Sequence, residues 1–195
     1  MNQTGRPLEQ RLVAFSEIAK KELVRVGFGK ECLAASRISV DVLKRAGLAV
    51  KPLTVMARAV NAKFLKQVEH LRRFPQRNEF WPGASSVGIG YETPGEWTGH
   101  LVVIVEAGYL LDLTLDQAAR RKHKIRLPPF LVWQVNREFL EGKAIVELGF
   151  GDPVSTYASY KACPDDLRYA FLPLWNSAEL KPVADRISEL WNDRG

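Results

Sequence analysis

Cysteine is scarce in this chain of 195 residues, which holds two, Cys32 and Cys163. At most one disulfide can form, so a small disulfide-stapled fold is excluded and two free thiols in a reducing compartment are expected. Long apolar runs are missing too. No stretch approaches the roughly 20 residues that a bilayer crossing needs, and the polar start MNQTGRPLEQ lacks the charged-then-apolar order of a secretory signal. No membrane contact and a cytoplasmic location are therefore expected. There are only three histidines, His70, His100 and His123, and no short-spaced pair of Cys or His ligands. Neither a metal nor another cofactor is expected. Repeats and low-complexity linkers are absent as well. Residues 1–195 thus read as one domain, with 46% hydrophobic residues to build its core.

What the chain does have is positive charge. The formal net charge is +6, and RRKHKIR, Arg120 to Arg126, concentrates part of the excess. A basic balance favours contact with polyanions. Basic runs are more often solvated loops, however, and no aromatic-basic interleaving or zinc-knuckle spacing accompanies this one. Charge alone does not select a function.

The order of elements runs from helices into strands and back. Leu8, Leu12, Phe15, Ala19, Leu23 and Val26 recur at helical spacing, with Pro7 suited to the first turn and Gly27 or Gly29 to the stop. A second helix is predicted from about Glu31 to Ala46, ended by Gly47, with Cys32, Ala35, Val42 and Leu43 near one stripe. AVKPLTVMARAV then alternates as a strand does, and KFLKQVEHLRRF predicts a short helix with Phe64, Val68 and Leu71 inward. FPQRNEFWPGASS reads as a long surface loop. HLVVIVE and YLLDLTL read as two strong strands, AIVELGF and VSTYASYKA as another pair around GDP, and AELKPVADRISELWN as a closing helix. The sum is an α+β fold, with a helical N-terminal part packed on a mainly antiparallel sheet.

Function has to be sought in the thiols. Cys32 falls at a helix start, where orphan amides and the helix dipole favour thiolate over thiol, with Glu31 a partial counterweight. Cys163 precedes Asp165 and Asp166, which oppose a second negative charge. A cysteine among small apolar neighbours is also a common core filler. Partners decide between these readings, since a thiol nucleophile needs a base and the base needs a group to orient it. His70 sits on the polar face of its helix and His123 inside the basic run. His100 instead opens GHLVVIVEAGYLLDLTL, in which Asp112 is the only acidic residue of the second apolar run. Burying that carboxylate costs several kcal/mol unless it is partnered. If EAG forms a three-residue loop with Gly108 left-handed, Val105 pairs with Tyr109, and His100 and Asp112 become diagonal neighbours on one face. A two-residue AG loop would send them to opposite faces.

The order of Cys32 at a helix start, His100 at the head of a strand and Asp112 on the next strand resembles the transglutaminase-like superfamily of the papain-like cysteine-enzyme fold. The likeness spans roughly Cys32 to Gln117. ECLAASRISVDVLKRAGLAVKPLTV is similar to that family's nucleophile helix and first strand, and WTGHLVVIVEAGYLLDLTLDQ to its His strand, turn and Asp strand. The resemblance implies a central antiparallel sheet packed against the Cys helix, with Cys32 as nucleophile, His100 as general base and then acid, and Asp112 as the orienter of the ring. It also implies a thiol-dependent hydrolase, deamidase or acyltransferase acting on a peptide, protein or other amide-bearing substrate. The Cys32 amide is the first oxyanion donor on this reading, and Trp97 a substrate-binding wall or donor. Departures are Leu101 and Val102, where the family often carries an aromatic residue after its His, and GKE in place of a glycine shortly before the Cys. Arylamine N-acetyltransferases share the Cys-His-Asp order, but their arginine- and glycine-rich approach to the Cys is not found. The same three side chains are permissible zinc ligands, and the departures leave a second reading open, a non-catalytic member of the fold that binds protein or nucleic acid through its basic surface.

Overall fold

Two glycine-terminated helices begin the computed structural model of the protein, which describes residues 7–92 and 98–193. Helix α1 (Leu8–Arg25) ends where Gly27 takes φ +89° and Phe28 N–H returns to Leu23 O at 2.8 Å. Helix α2 (Cys32–Arg45) ends the same way, with Gly47 at φ +81° and Leu48 N–H on Leu43 O at 3.1 Å. In both, the left-handed residue lets the chain satisfy a last-turn carbonyl and turn back.

A 12-residue strand, β1 (Val50–Asn61), follows and organises the sheet. After it come α3 (Ala62–Leu71), β2 (Ser86–Ile89), β3 (Tyr91–Glu92), β4 (Thr98–Val105), β5 (Tyr109–Asp112), β6 (Leu131–Gln134), the short α4 (Arg137–Leu140), β7 (Ile145–Phe150), β8 (Thr156–Ala162) and α5 (Leu180–Asn192). The strand order is β6-β5-β4-β1-β8-β7, with β2 added to β1 and β3 to β4, and every pairing is antiparallel. Residues 50–55 of β1 pair with β4 and residues 55–61 with β8, so one strand joins two halves of a curled sheet. Pro52 is tolerated in this central strand because it lies where β1 has only β4 beside it. The α+β architecture expected from the sequence is present.

Alternation along the strands divides the core. Val103, Val105 and Leu111 face α1, α2 and α5, packing with Leu12, Phe15, Ile38, Leu43 and Trp191. Val102, Ile104 and Leu110 face the other way and join Val55, Phe139 and Tyr160. Each large aliphatic side chain buried in this way contributes about 1.5–3 kcal/mol. Helix α2 departs from the expected single stripe. Ten of its residues are buried, because α5 returns over the side turned away from the sheet. Ser36 remains satisfied inside by donating to Leu101 O of β4 at 2.8 Å.

The turn between β4 and β5 is Glu106–Gly108, and Val105 pairs with Tyr109. Gly108 has φ +82°, and a Cβ there would stand 2.6 Å from Val135 O, so conformation and space both require glycine. Helix α3 buries Phe64 and Gln67, with Val68 and Leu71 only half-buried, because the Gln67 amide donates to Glu79 O and accepts from Trp81 N–H. Among the described residues, no helix is long and apolar enough to cross a membrane.

Candidate active site

The three-residue turn fixes the β4–β5 register, and that register puts His100 and Asp112 on one face of the sheet. Their side chains meet, His100 Nε2 lying 2.7 Å from Asp112 Oδ2 with both side chains fully buried. The carboxylate has further donors. Thr114 gives its backbone N–H to Oδ1 at 2.8 Å and its hydroxyl at 3.3 Å, and Tyr160 of β8 gives its hydroxyl to Oδ2 at 3.0 Å. A buried carboxylate is affordable in such company.

Burial works against charge on both partners, and the partners overcome it. Burial alone would lower the proton affinity of the His100 ring, but the charge and hydrogen bond of Asp112, with smaller contributions of the same kinds from Cys32, raise it to about 10. Burial would raise the Asp112 carboxyl, yet the His100 charge and hydrogen bond, the Thr114 amide and the Tyr160 hydroxyl hold it below its usual range. Tyr160 is pushed well above the ordinary phenol value by burial and by the adjacent carboxylate.

Cys32 is the first residue of α2, and no side chain caps that helix start. The first intrahelical bond runs from Ala35 N–H to Glu31 O at 2.9 Å, leaving the preceding amides without a side-chain acceptor. Cys32 lies near enough to the His100 ring to add to its proton affinity. Asp112 engages Nε2, so a proton from sulfur would go to Nδ1, which the Gln117 amide also approaches. Cys32 is only 1% exposed and packs with Leu33, Leu101 and Tyr169, flanked by Leu172 and Trp175. The pocket as it stands is closed.

Two side chains, one beside the ring and one behind the segments that flank the site, carry no signal in the local sequence pattern. Gln117 Nε2 lies 3.1 Å from His100 Nδ1, on a 3₁₀ turn, Leu115–Ala118, that follows β5. An amide N–H there fits a neutral ring, and the same amide rotated about its last bond presents oxygen to a protonated one. Lys20 of α1, 7% exposed, donates to Gly29 O at 2.7 Å, Leu113 O at 3.0 Å and Asp116 Oδ1 at 2.6 Å. It therefore ties the approach to Cys32 to the segment after Asp112.

The remaining candidates fall elsewhere. Trp97 lies outside the described residues. Cys163 is half-buried in the turn after β8 and not at a helix start, its N–H bonded to Thr54 O. His70 is exposed with its ring 5.4 Å from that of Trp81, and exposed His123 offers its carbonyl to Asn61. Among the described residues, no group of three or more His, Cys, Asp and Glu is placed to hold a metal ion. The zinc alternative thus has no donor set there. Compared with known protein families, curated proteins and solved structures, the chain matches none.

Proposed function

We propose that the protein is a thiol-dependent acyl-transfer enzyme of papain-like, transglutaminase-like type, acting on an amide of a peptide, protein or related substrate. The observation that carries this reading is the fully buried His100–Asp112 pair, with the helix-start thiol of Cys32 near enough to raise the proton affinity of the ring. A core-filling cysteine requires neither an imidazole nor a buried carboxylate behind it.

The steps follow from the geometry. When the His100 ring, which holds its proton up to about pH 10, has lost it, Cys32 Sγ gives its own proton to Nδ1 and attacks the acyl carbon, whose oxygen takes the negative charge. The Cys32 backbone N–H, at an uncapped helix start, stabilises that oxygen. The Gln117 amide, turning from Nδ1, supplies the second donor. His100 then protonates the leaving nitrogen, the C–N bond breaks, and a thioester remains on Cys32. Water or an amine, losing its proton to His100, attacks the thioester and restores the thiol. Asp112, held by Thr114 and Tyr160, keeps the ring oriented and balances its charge.

Exposure of wild-type protein to p-nitrophenyl acetate, followed by peptide mass mapping, tests the reading. An acetyl group on Cys32 that disappears in His100→Gln is expected. Equal acetylation of Cys163, or a Cys32 adduct that survives His100→Gln, counts decisively against it.

One observation favours a second reading, a non-catalytic binding protein of the same architecture, since Cys32 is only 1% exposed. Absence of any acyl adduct on Cys32, with partner binding unchanged in Cys32→Ala, selects that alternative.

A further inference from the structure

A cleft of about 760 Å³ is lined by Lys30, Arg121 and Arg126 together with Ala119, Ile125 and Leu127. Its walls adjoin the candidate site on both sides. Lys30 stands two residues before Cys32, and the remaining lining residue, Asp116, is the neighbour of Gln117. Lys20 bonds to Gly29 O and to Asp116 Oδ1, so one buried ammonium holds the two walls together.

The same bond removes the only negative charge in the cleft from play. Asp116 is neutralised by Lys20 at 2.6 Å, whereas Lys30, Arg121 and Arg126 enter no ion pair among the described residues. Nor is the basic run a loose loop. Arg120 and Ile125 exchange backbone hydrogen bonds at 3.0 and 3.1 Å, Ile125 is fully buried, and Arg126 N–H donates to Thr156 Oγ1 at 2.9 Å. Two of the three unpaired cations, Arg121 and Arg126, thus stand on a hydrogen-bonded backbone, beside the partly exposed apolar side chains of Ala119 and Leu127.

We propose that this cleft docks an acidic stretch of polypeptide and presents it to Cys32, so that the substrates are peptides or proteins with Asp or Glu near the reacting amide. The proposal rests on the enzyme reading above for its choice of a peptide. It also rests on the lining itself. No aromatic side chain is there to stack a base, as single-stranded nucleic acid recognition uses, while the half-buried Ala119 and Leu127 suit aliphatic side chains.

The test uses Cys32→Ala protein, which binds without turnover, and fluorescence anisotropy of three labelled probes of matched length: a Glu/Leu peptide, a Lys/Leu peptide and a single-stranded oligonucleotide. The acidic peptide should bind most tightly and lose affinity as salt rises. Arg121→Glu with Arg126→Glu should weaken it about tenfold or more, and the milder Arg121→Gln with Arg126→Gln should weaken it less, each with an unchanged melting curve. Equal binding of the two peptides, tighter binding of the oligonucleotide, or indifference to both double variants overturns the proposal. Acetylation of wild-type Cys32 by p-nitrophenyl acetate is followed in parallel. An adduct without acidic-peptide binding overturns the docking site alone, and acidic-peptide binding without an adduct supports the docking site while removing the enzyme.

Discussion

Tyr160 donates its hydroxyl to Asp112 Oδ2 at 3.0 Å, the oxygen that lies 2.7 Å from His100 Nε2. The pair joins β8 to β5 across β4 and β1, which separate them in the sheet. Tyr160→Phe keeps the ring volume and removes one donor from a buried carboxylate. It should cost about 1–2 kcal/mol in urea unfolding and slow Cys32 acetylation as the His100 ring loses its fixed orientation. Unchanged stability and rate would mean that the hydroxyl has no part in positioning.

The ion pair gives stability a particular pH dependence. The His100 ring is raised from 6.5 to about 10, so its contribution is full below pH 6.5 and is lost as the pH climbs to about 10. Asp112 is lowered from 3.8, so its contribution is full above that pH and is lost as the pH falls through the depressed value. Both are complete between 3.8 and 6.5. The difference in Tm between wild type and Asp112→Asn should be greatest in that window and shrink toward about pH 10. A difference that stays flat from the acid to the alkaline limb would contradict the charged pair.

Gln117 is half-buried, so Gln117→Ala should leave Tm nearly unchanged. Loss of an oxyanion donor should slow acetylation of Cys32 about 10²-fold. Gln117→Glu should slow it further, because a carboxylate opposes the developing negative charge. Stopped-flow release of p-nitrophenol reads both, and a wild-type rate in Gln117→Ala excludes the amide from the reaction.

Lys20→Met removes the cation shared by Gly29 O, Leu113 O and Asp116. The stranded acceptors should lower stability by about 2–4 kcal/mol, measured as the urea midpoint. If the bond holds the walls of the site, acetylation of Cys32 should also slow at denaturant concentrations where the variant is still folded. A stability change under about 0.5 kcal/mol would mark Lys20 as an ordinary surface lysine.

Sequence pattern reached furthest where the signal was local. Helix α1 and helix α2 were readable because apolar spacing stops at glycines that can turn left-handed, whereas for the β4–β5 register Gly108 favoured the three-residue loop over a two-residue one without excluding it, and the structure has the three-residue turn. A carboxylate in an apolar strand signalled that Asp112 needed a partner, and His100 on the same face was in reach. Tyr160 was beyond that logic. It lies 48 residues from Asp112, and nothing local says that β8 joins β1. Strands β2 and β6 were hidden by their length, four residues each, and β2 by its glycine. Gln67 displaced the expected apolar contacts of α3 because backbone groups of the following loop needed its amide more than the core needed a methyl.

Val55 pairs with His100 on one side and Ala162 on the other, the point at which β1 passes from one half of the sheet to the next. Because strand faces alternate residue by residue, one insertion just after this joint would turn β8 over relative to β5 while leaving each ladder free to zip. The Tyr160 hydroxyl would then point away from Asp112. Met56, although 62% exposed, is thus free in chemistry but not in number: evolution can repaint that position, yet a gap or duplication there would put the two halves of the sheet out of phase.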